Sequence, residues 1–132
     1  MREIKCLSVA SMCSPWVTTI EASVDAFNKA VSIGADEELR AVAKRIGKRT
    51  YILYAYDGVF AGLEANRKVC GEIICGVFYV VAVNKNGQPT SMMEKQMRKY
   101  MMKFYKPEYY TSYDVLSNWS DQLLKELDDM AV

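Results

Sequence analysis

The side chains best suited to hold a ligand lie in a short segment just before an apolar run. Asn66 and Arg67 are adjacent there, and Tyr56 precedes them. Arginine binds carboxylate or phosphate through two parallel hydrogen bonds, asparagine can orient the same group, and tyrosine can stack on a base. The sequence therefore predicts a site for a nucleotide-like anion at these three residues. The alternative is structural: Arg67 pairs with an acid, and Asn66 bonds the backbone of its own loop.

The residue types needed for most catalytic and metal sites are scarce. The chain contains no histidine, which is the commonest general base and the usual partner of a serine or cysteine nucleophile. The glycines do not form a phosphate-loop motif. The four cysteines, at positions 6, 13, 70 and 75, lack C-x-x-C spacing and are predicted to be free thiols. We therefore expect no catalytic residue, no metal and no cofactor, and a binding protein rather than an enzyme.

Two clusters of basic residues are the candidates for contact with a nucleic acid. The first is Lys44, Arg45, Lys48 and Arg49, and the second is Lys95, Arg98, Lys99, Lys103 and Lys106. Together they could follow a phosphate backbone. Lysines also occupy the solvent face of most amphipathic helices, and the formal net charge of only +1 favours that second interpretation. A nucleic-acid partner is therefore kept as a disfavoured alternative.

The secondary-structure elements expected from the sequence indicate an α+β fold, and they must position these residues. Runs rich in β-branched and aromatic residues predict strands at residues 4–10, 16–21, 49–56 and 72–83, with a loop at residues 59–71. The last strand is apolar on both faces and should be buried. We expect one domain with a mostly antiparallel sheet of four to five strands and with helices packed on one face.

Capping signals locate two helices. Ser23 is a predicted N-cap for a helix at residues 24–33, which Gly34 ends. Ser91 and Glu94 have the spacing of a capping box, so a second helix should begin there and end before Pro107.

Residues 36–47 fit two structures. They can form a helix capped by Asp36, with acids early, bases late and Gly47 after it. They can equally contribute a strand at residues 39–46 that pairs with residues 49–56 through a Gly47-Lys48 type II′ turn. Local signals do not decide between the two.

Several motifs resemble a known family. They are the helix entry at residues 20–27, the Tyr56-Asp57-Gly58 turn, the G-L-E-A-N-R segment at residues 62–67, the I-I-C-G-V-F-Y-V-V strand at residues 73–81, and the closing helix with Lys99, Tyr100 and Phe104. In this order they resemble a family of short proteins of unknown function carried mostly by bacteriophages, plasmids and conjugative elements (domain of unknown function thirty-eight forty-six). The resemblance covers residues 19–104 and favours the hairpin for residues 36–47. It implies a mobile-element context and no particular chemistry.

The C-terminal segment lies outside that resemblance. We expect residues 1–106 to form the α+β domain and residues 107–132 to form a helical extension, packed on that domain or on a partner. Its apolar side chains fall on one helical stripe of Val115, Leu116, Trp119, Leu123 and Leu127. Soluble monomers rarely expose an apolar stripe this wide, so we expect another protein surface to pack on it. Trp119, Leu123 and Leu127 are therefore predicted partner contacts, and a homodimer is the favoured assembly because cyclic dimers are the commonest.

The sequence thus favours a non-enzymatic accessory protein of a phage or mobile element that binds a protein partner, with interference in host defence as one role. The alternatives are a small-ligand binder and a nucleic-acid binder. The longest apolar run, around residues 77–83, has the length of a strand and not of a membrane span. No secretory h-region is visible near the start. We therefore expect a cytoplasmic protein without a membrane partner.

Overall fold

An antiparallel sheet forms the centre of the protein, whose structure is a computed structural model that describes residues 2–130. Its strands run in the order β2-β1-β7-β4-β3, with β8 paired to β7, and β5 and β6 form a separate hairpin. The elements are β1 Glu3–Val9, β2 Trp16–Glu21, α1 Val24–Val31, β3 Ala41–Gly47, β4 Thr50–Ala55, β5 Ala65–Val69, β6 Glu72–Cys75, β7 Phe78–Val83, β8 Pro89–Thr90, α2 Glu94–Lys103 and α3 Ser112–Met130. The predicted α+β class is confirmed. Met1 of the predicted domain and the last two residues of the predicted extension lie outside the described residues.

Both faces of the sheet are covered, which corrects the expected placement of the helices on one face. Strand β7 buries alternate side chains on opposite faces, so each face needs an apolar cover. Helix α1 contributes the buried Val31 to the core that contains Ile4 and Cys6. Helix α2 contributes Met97 and Tyr100 to the opposite core, together with its C-cap residue Phe104 and apolar residues of the β5–β6 hairpin. The hairpin and α2 therefore share one layer.

Residues 41–55 form a hairpin, so the helical alternative for residues 36–47 is wrong. Strand β3 pairs with β4, and the register shifts between Arg45 and Gly47. Because of that bulge Gly47 pairs with Thr50, and the turn consists of Lys48 and Arg49 instead of the predicted Gly47-Lys48. The Arg45 guanidinium donates to the carbonyls of Gly47 and Lys48, both at 2.9 Å, and holds the turn.

The predicted strand at residues 72–83 is broken at Gly76, and β6 and β7 belong to different sheets. Gly76 has φ of +90°, a conformation that other residues rarely adopt. A Cβ atom there would lie 2.7 Å from Cδ1 of Leu63. The predicted loop at residues 59–71 contains β5, which pairs with β6 across the turn at Gly71.

One of the two predicted caps is confirmed. Ser23 accepts a hydrogen bond from the Ala26 amide at 3.1 Å and begins α1. The prediction for Ser91 is wrong, because its hydroxyl accepts from the Lys5 amide at 2.9 Å and so joins the chain before α2 to β1. Helix α2 begins at Glu94. No helix within residues 2–130 combines the length and apolar content needed to cross a membrane.

We predict that Gly76→Ala lowers the free energy of unfolding by about 1–3 kcal/mol, because it adds backbone strain and a contact with Leu63. Gly87→Ala is the matched control, since Gly87 has φ of +77° but no atom within 4 Å of the added methyl group. Urea unfolding should show the larger loss for Gly76→Ala. Equal losses would contradict the predicted steric role of Leu63.

Candidate functional site

Arg67 lies in the interior and joins three segments of the chain. Its side chain on β5 is 0% exposed. Nη1 donates to the Ala10 carbonyl at 3.2 Å and to Asn66 Oδ1 at 2.8 Å. Nη2 donates to the carbonyls of Cys13 at 2.6 Å and Phe104 at 2.7 Å. The guanidinium therefore connects β5 to the loop after β1 and to the end of α2.

The surroundings of Arg67 are carbonyl groups instead of a carboxylate. No ion pair to Arg67 is present within residues 2–130. Burial lowers the pKa of Arg67 from its ordinary value, and the charge of Glu108 opposes that shift. The Phe104 carbonyl lies at the C-terminal end of α2, where the helix dipole is negative and favours a cation. Nε is buried without a hydrogen-bond partner in the described part of the chain.

Asn66 is equally enclosed. It is 0% exposed, and Nδ2 donates to the Val9 carbonyl at 2.8 Å and the Gly76 carbonyl at 3.0 Å. Consecutive side chains of a regular strand point to opposite faces, but the register of β5 with β6 shifts between Ala65 and Lys68. This irregularity coincides with the burial of both Asn66 and Arg67. The contacts of the pair are structural, but they differ from those expected. Arg67 bonds backbone carbonyls instead of an acid, and Asn66 bonds the carbonyls of Val9 and Gly76 instead of the backbone of its own loop.

Tyr56 lies in a different place and is 61% exposed. The Arg40 guanidinium lies 4.6 Å from the centroid of its ring. Tyr56 lines a cleft of about 190 Å³ between β4, β6 and α3, to which neither Asn66 nor Arg67 contributes. The structure therefore does not bring the three predicted ligand residues together.

Four of the eleven residues that line this cleft are aromatic, namely Tyr54, Tyr56, Phe60 and Trp119, and we refer to it as the aromatic cleft. Phe60 and Trp119 meet edge to face with ring centroids 5.3 Å apart. Glu72 accepts a hydrogen bond from Lys44 Nζ at 2.8 Å, so its charge is compensated. Burial raises the pKa of Tyr54 to about 12, with a further contribution from Glu72. Tyr54 therefore keeps its proton at neutral pH and can act there as a hydrogen-bond donor.

The thiols divide into two buried and two exposed groups. Burial raises the pKa of Cys6 and of Cys75 to about 11, so both are protonated and unreactive at neutral pH. Cys13 and Cys70 are exposed and free. Across residues 2–130, no three His, Cys, Asp or Glu side chains come together to hold a metal ion.

Helix α3 carries the predicted partner contacts, and two amide side chains hold it to the β5–β6 hairpin. Asn118 Oδ1 accepts from the Ile73 amide at 2.9 Å, and its Nδ2 donates to the Gly71 carbonyl at 2.8 Å. Gln122 Nε2 donates to the same carbonyl at 3.2 Å. No residue of α3 is buried. The helix is thus held by the polar contacts of these two amides, together with the contact of Trp119 with Phe60.

The apolar stripe of α3 points away from those amides. At 3.6 residues per turn, its centre lies about a third of a turn from Asn118 and Gln122. Trp119 lies between the two faces and reaches Phe60. We define the α3 stripe as Leu116, Trp119, Leu123, Leu127 and Met130, which are between 39% and 80% exposed.

The two basic clusters, which are distant in the sequence, meet in the fold. Lys48 and Arg49 of the β3–β4 turn line one groove with Lys99 of α2. The hairpin was a foreseen alternative, but the position of its turn beside α2 depends on packing that local patterns do not encode. We refer to the space between this turn and α2 as the basic groove.

We predict that Arg67→Met lowers the free energy of unfolding by roughly 2–4 kcal/mol, because three backbone carbonyls lose a charged donor. Arg98→Met is the control, since Arg98 forms only an exposed pair with Glu94 and should change stability by less than about 0.5 kcal/mol. Urea unfolding measures both. A variant at position 67 as stable as the control would refute the structural role.

A scan against protein-family models, a search of curated proteins and a search of solved structures each found no match. The resemblance to the mobile-element family remains a prediction from the motifs.

Proposed function

We propose that the protein is a non-enzymatic accessory protein of a phage or other mobile element and that it acts by binding a protein partner through α3. The observation that carries this proposal is a helix of 19 residues with none buried, which is held in place by its polar side while its apolar stripe faces outward. Large exposed apolar surfaces on a protein mark interaction sites. The mobile-element context comes from the resemblance described above.

The charge of α3 favours a particular kind of partner. The helix has five acidic residues and one basic residue, Lys125; the acids are Asp114, Asp121, Glu126, Asp128 and Asp129. Complementary charge steers association and excludes wrong partners. At 3.6 residues per turn only Glu126 borders the α3 stripe, and Asp114, Asp121 and Asp128 lie on the opposite side of the helix. The surface that fits is therefore apolar, with a basic group placed to meet Glu126. A host defence protein with such a surface is the partner that the mobile-element context favours.

The aromatic cleft adjoins the stripe, because Trp119 belongs to both. Its volume of about 190 Å³ suits one large side chain of a partner better than a nucleotide. The contacts of Asn66 and Arg67 weigh against the small-ligand alternative, since both expected anion contacts bind protein atoms instead. Tyr56 and Trp119 are then contacts for an anchoring side chain.

We expect a pull-down from bacterial lysate to recover one stoichiometric partner with the full chain and to lose it with Leu123→Ala/Leu127→Ala. Truncating two exposed leucines removes apolar contact area while keeping helix propensity. Asp121→Ala/Asp128→Ala is the matched control on the opposite side of α3 and should retain the partner. Failure to recover any stoichiometric partner with the unaltered chain would count against the proposal.

A second copy is the alternative occupant of the α3 stripe, in competition with the basic partner, and for that case we predict a homodimer that forms in spite of the acidic side chains on both helices. Light scattering at tens of micromolar should give twice the mass of one chain. The mass should fall to that of one chain for Leu123→Ala/Leu127→Ala and stay unchanged for Asp121→Ala/Asp128→Ala. A monomeric mass for the unaltered chain would reject the dimer and leave a heterologous partner as the occupant of the stripe.

A further inference from the structure

The basic groove is formed by close contact between a turn and a helix that are distant in sequence. Its volume is about 370 Å³, and its lining is Lys48, Arg49, Thr50, Gln96, Lys99 and Tyr100. A Cβ atom at Gly47 would come too close to the Tyr100 hydroxyl, so a larger residue at position 47 would push the turn and α2 apart. The lining contains three cations and no carboxylate.

These three cations are free, whereas other cations of the same two clusters are engaged. Lys44 pairs with Glu72 at 2.8 Å, and Arg98 pairs with Glu94 at 3.0 Å. Arg45 is used by the carbonyls of its own turn. Within the range 2–130, Lys48, Arg49 and Lys99 form no ion pair, and all three are exposed. Their charge is therefore available to an external anion.

The positive surface continues along α2 beyond the groove. Lys95 and Lys103 lie four residues before and after Lys99, so the three lysines occupy one side of the helix. With a rise of 1.5 Å per residue, they span about 12 Å. Successive nucleotides of one strand of a duplex are about 3.4 Å apart along its axis. This row of three lysines is therefore long enough to contact several successive phosphates instead of a single one.

We propose that the basic groove and the lysine side of α2 bind the phosphodiester backbone of a nucleic acid without reading its sequence. Contacts between lysine or arginine and phosphate supply nearly all of non-specific affinity for nucleic acid, and they depend on local charge. The net charge of +1 is compatible with such a site, because the acidic side chains of α3 offset a basic surface located elsewhere. This inference goes beyond the proposed function and does not rest on the α3 stripe.

The test is fluorescence anisotropy of the full chain with a labelled duplex and with a labelled single strand of the same sequence, starting at low salt. We expect binding whose affinity falls as salt rises, with a slope of log K against log salt of about −0.9 per phosphate neutralised on a duplex. Lys48→Gln/Arg49→Gln/Lys99→Gln should weaken binding about tenfold or more and reduce that slope by roughly 3.

The matched control is Lys29→Gln/Lys68→Gln/Lys125→Gln, which removes the same number of charges from outside the groove and should bind nearly as tightly as the unaltered chain. An equal loss in the control, or no complex at low salt, would overturn the proposal.

Two competing ligands test the class of anion. Tighter binding to polyglutamate than to DNA would assign the groove to an acidic protein. If adenosine monophosphate displaced the DNA as effectively as an oligonucleotide does, the groove would be assigned to a single phosphate. Either result would also overturn the proposal. Unchanged DNA binding by Leu123→Ala/Leu127→Ala separates this test from that of the α3 stripe.

Discussion

The buried guanidinium of Arg67 is the interaction on which the arrangement of the other elements depends. A planar group with five donors can satisfy several carbonyls at once, which a lysine ammonium cannot do with the same geometry. The carbonyls of Ala10, Cys13 and Phe104 converge on it from the loop after β1 and from the end of α2. Burying an unsolvated cation is costly unless its donors are bonded. The three segments are therefore stable in this arrangement only when all of them are in place.

The two proposed binding surfaces both depend on this junction. Arg67 lies on β5, whose turn with β6 presents the Gly71 carbonyl to Asn118 and Gln122. The same guanidinium holds the end of α2, whose lysines form one side of the basic groove. The acidic helix and the basic helix consequently occupy separate parts of the surface. A protein partner on α3 and a phosphate backbone on α2 could then be held at the same time.

The sequence was informative wherever a local pattern decides the structure. β-branched runs identified the strand at residues 16–21, and Ser23 identified the start of α1. Prediction from the sequence failed where contacts between residues distant in the chain determine the structure. Ser91 had the spacing of a cap, but its hydroxyl is taken by Lys5, which lies far away in the sequence. An arginine such as Arg67 looks the same in the sequence whether it binds a ligand or lies in the core. Only the fold determines whether backbone carbonyls surround it. Gly76 interrupts an apolar run that periodicity alone treats as continuous.

The attachment of α3 has a consequence for the dynamics of the chain. Asn118 and Gln122 hold the helix to the hairpin through the Gly71 carbonyl and the Ile73 amide, whereas β7 is buried on both faces. Local opening of a segment costs a free energy set by its own contacts, which here is far below that of the sheet. The helix can therefore detach and return while the sheet stays folded. A partner that binds the stripe of the docked helix would suppress this local opening and, by mass action, would also stabilise the folded chain against global unfolding.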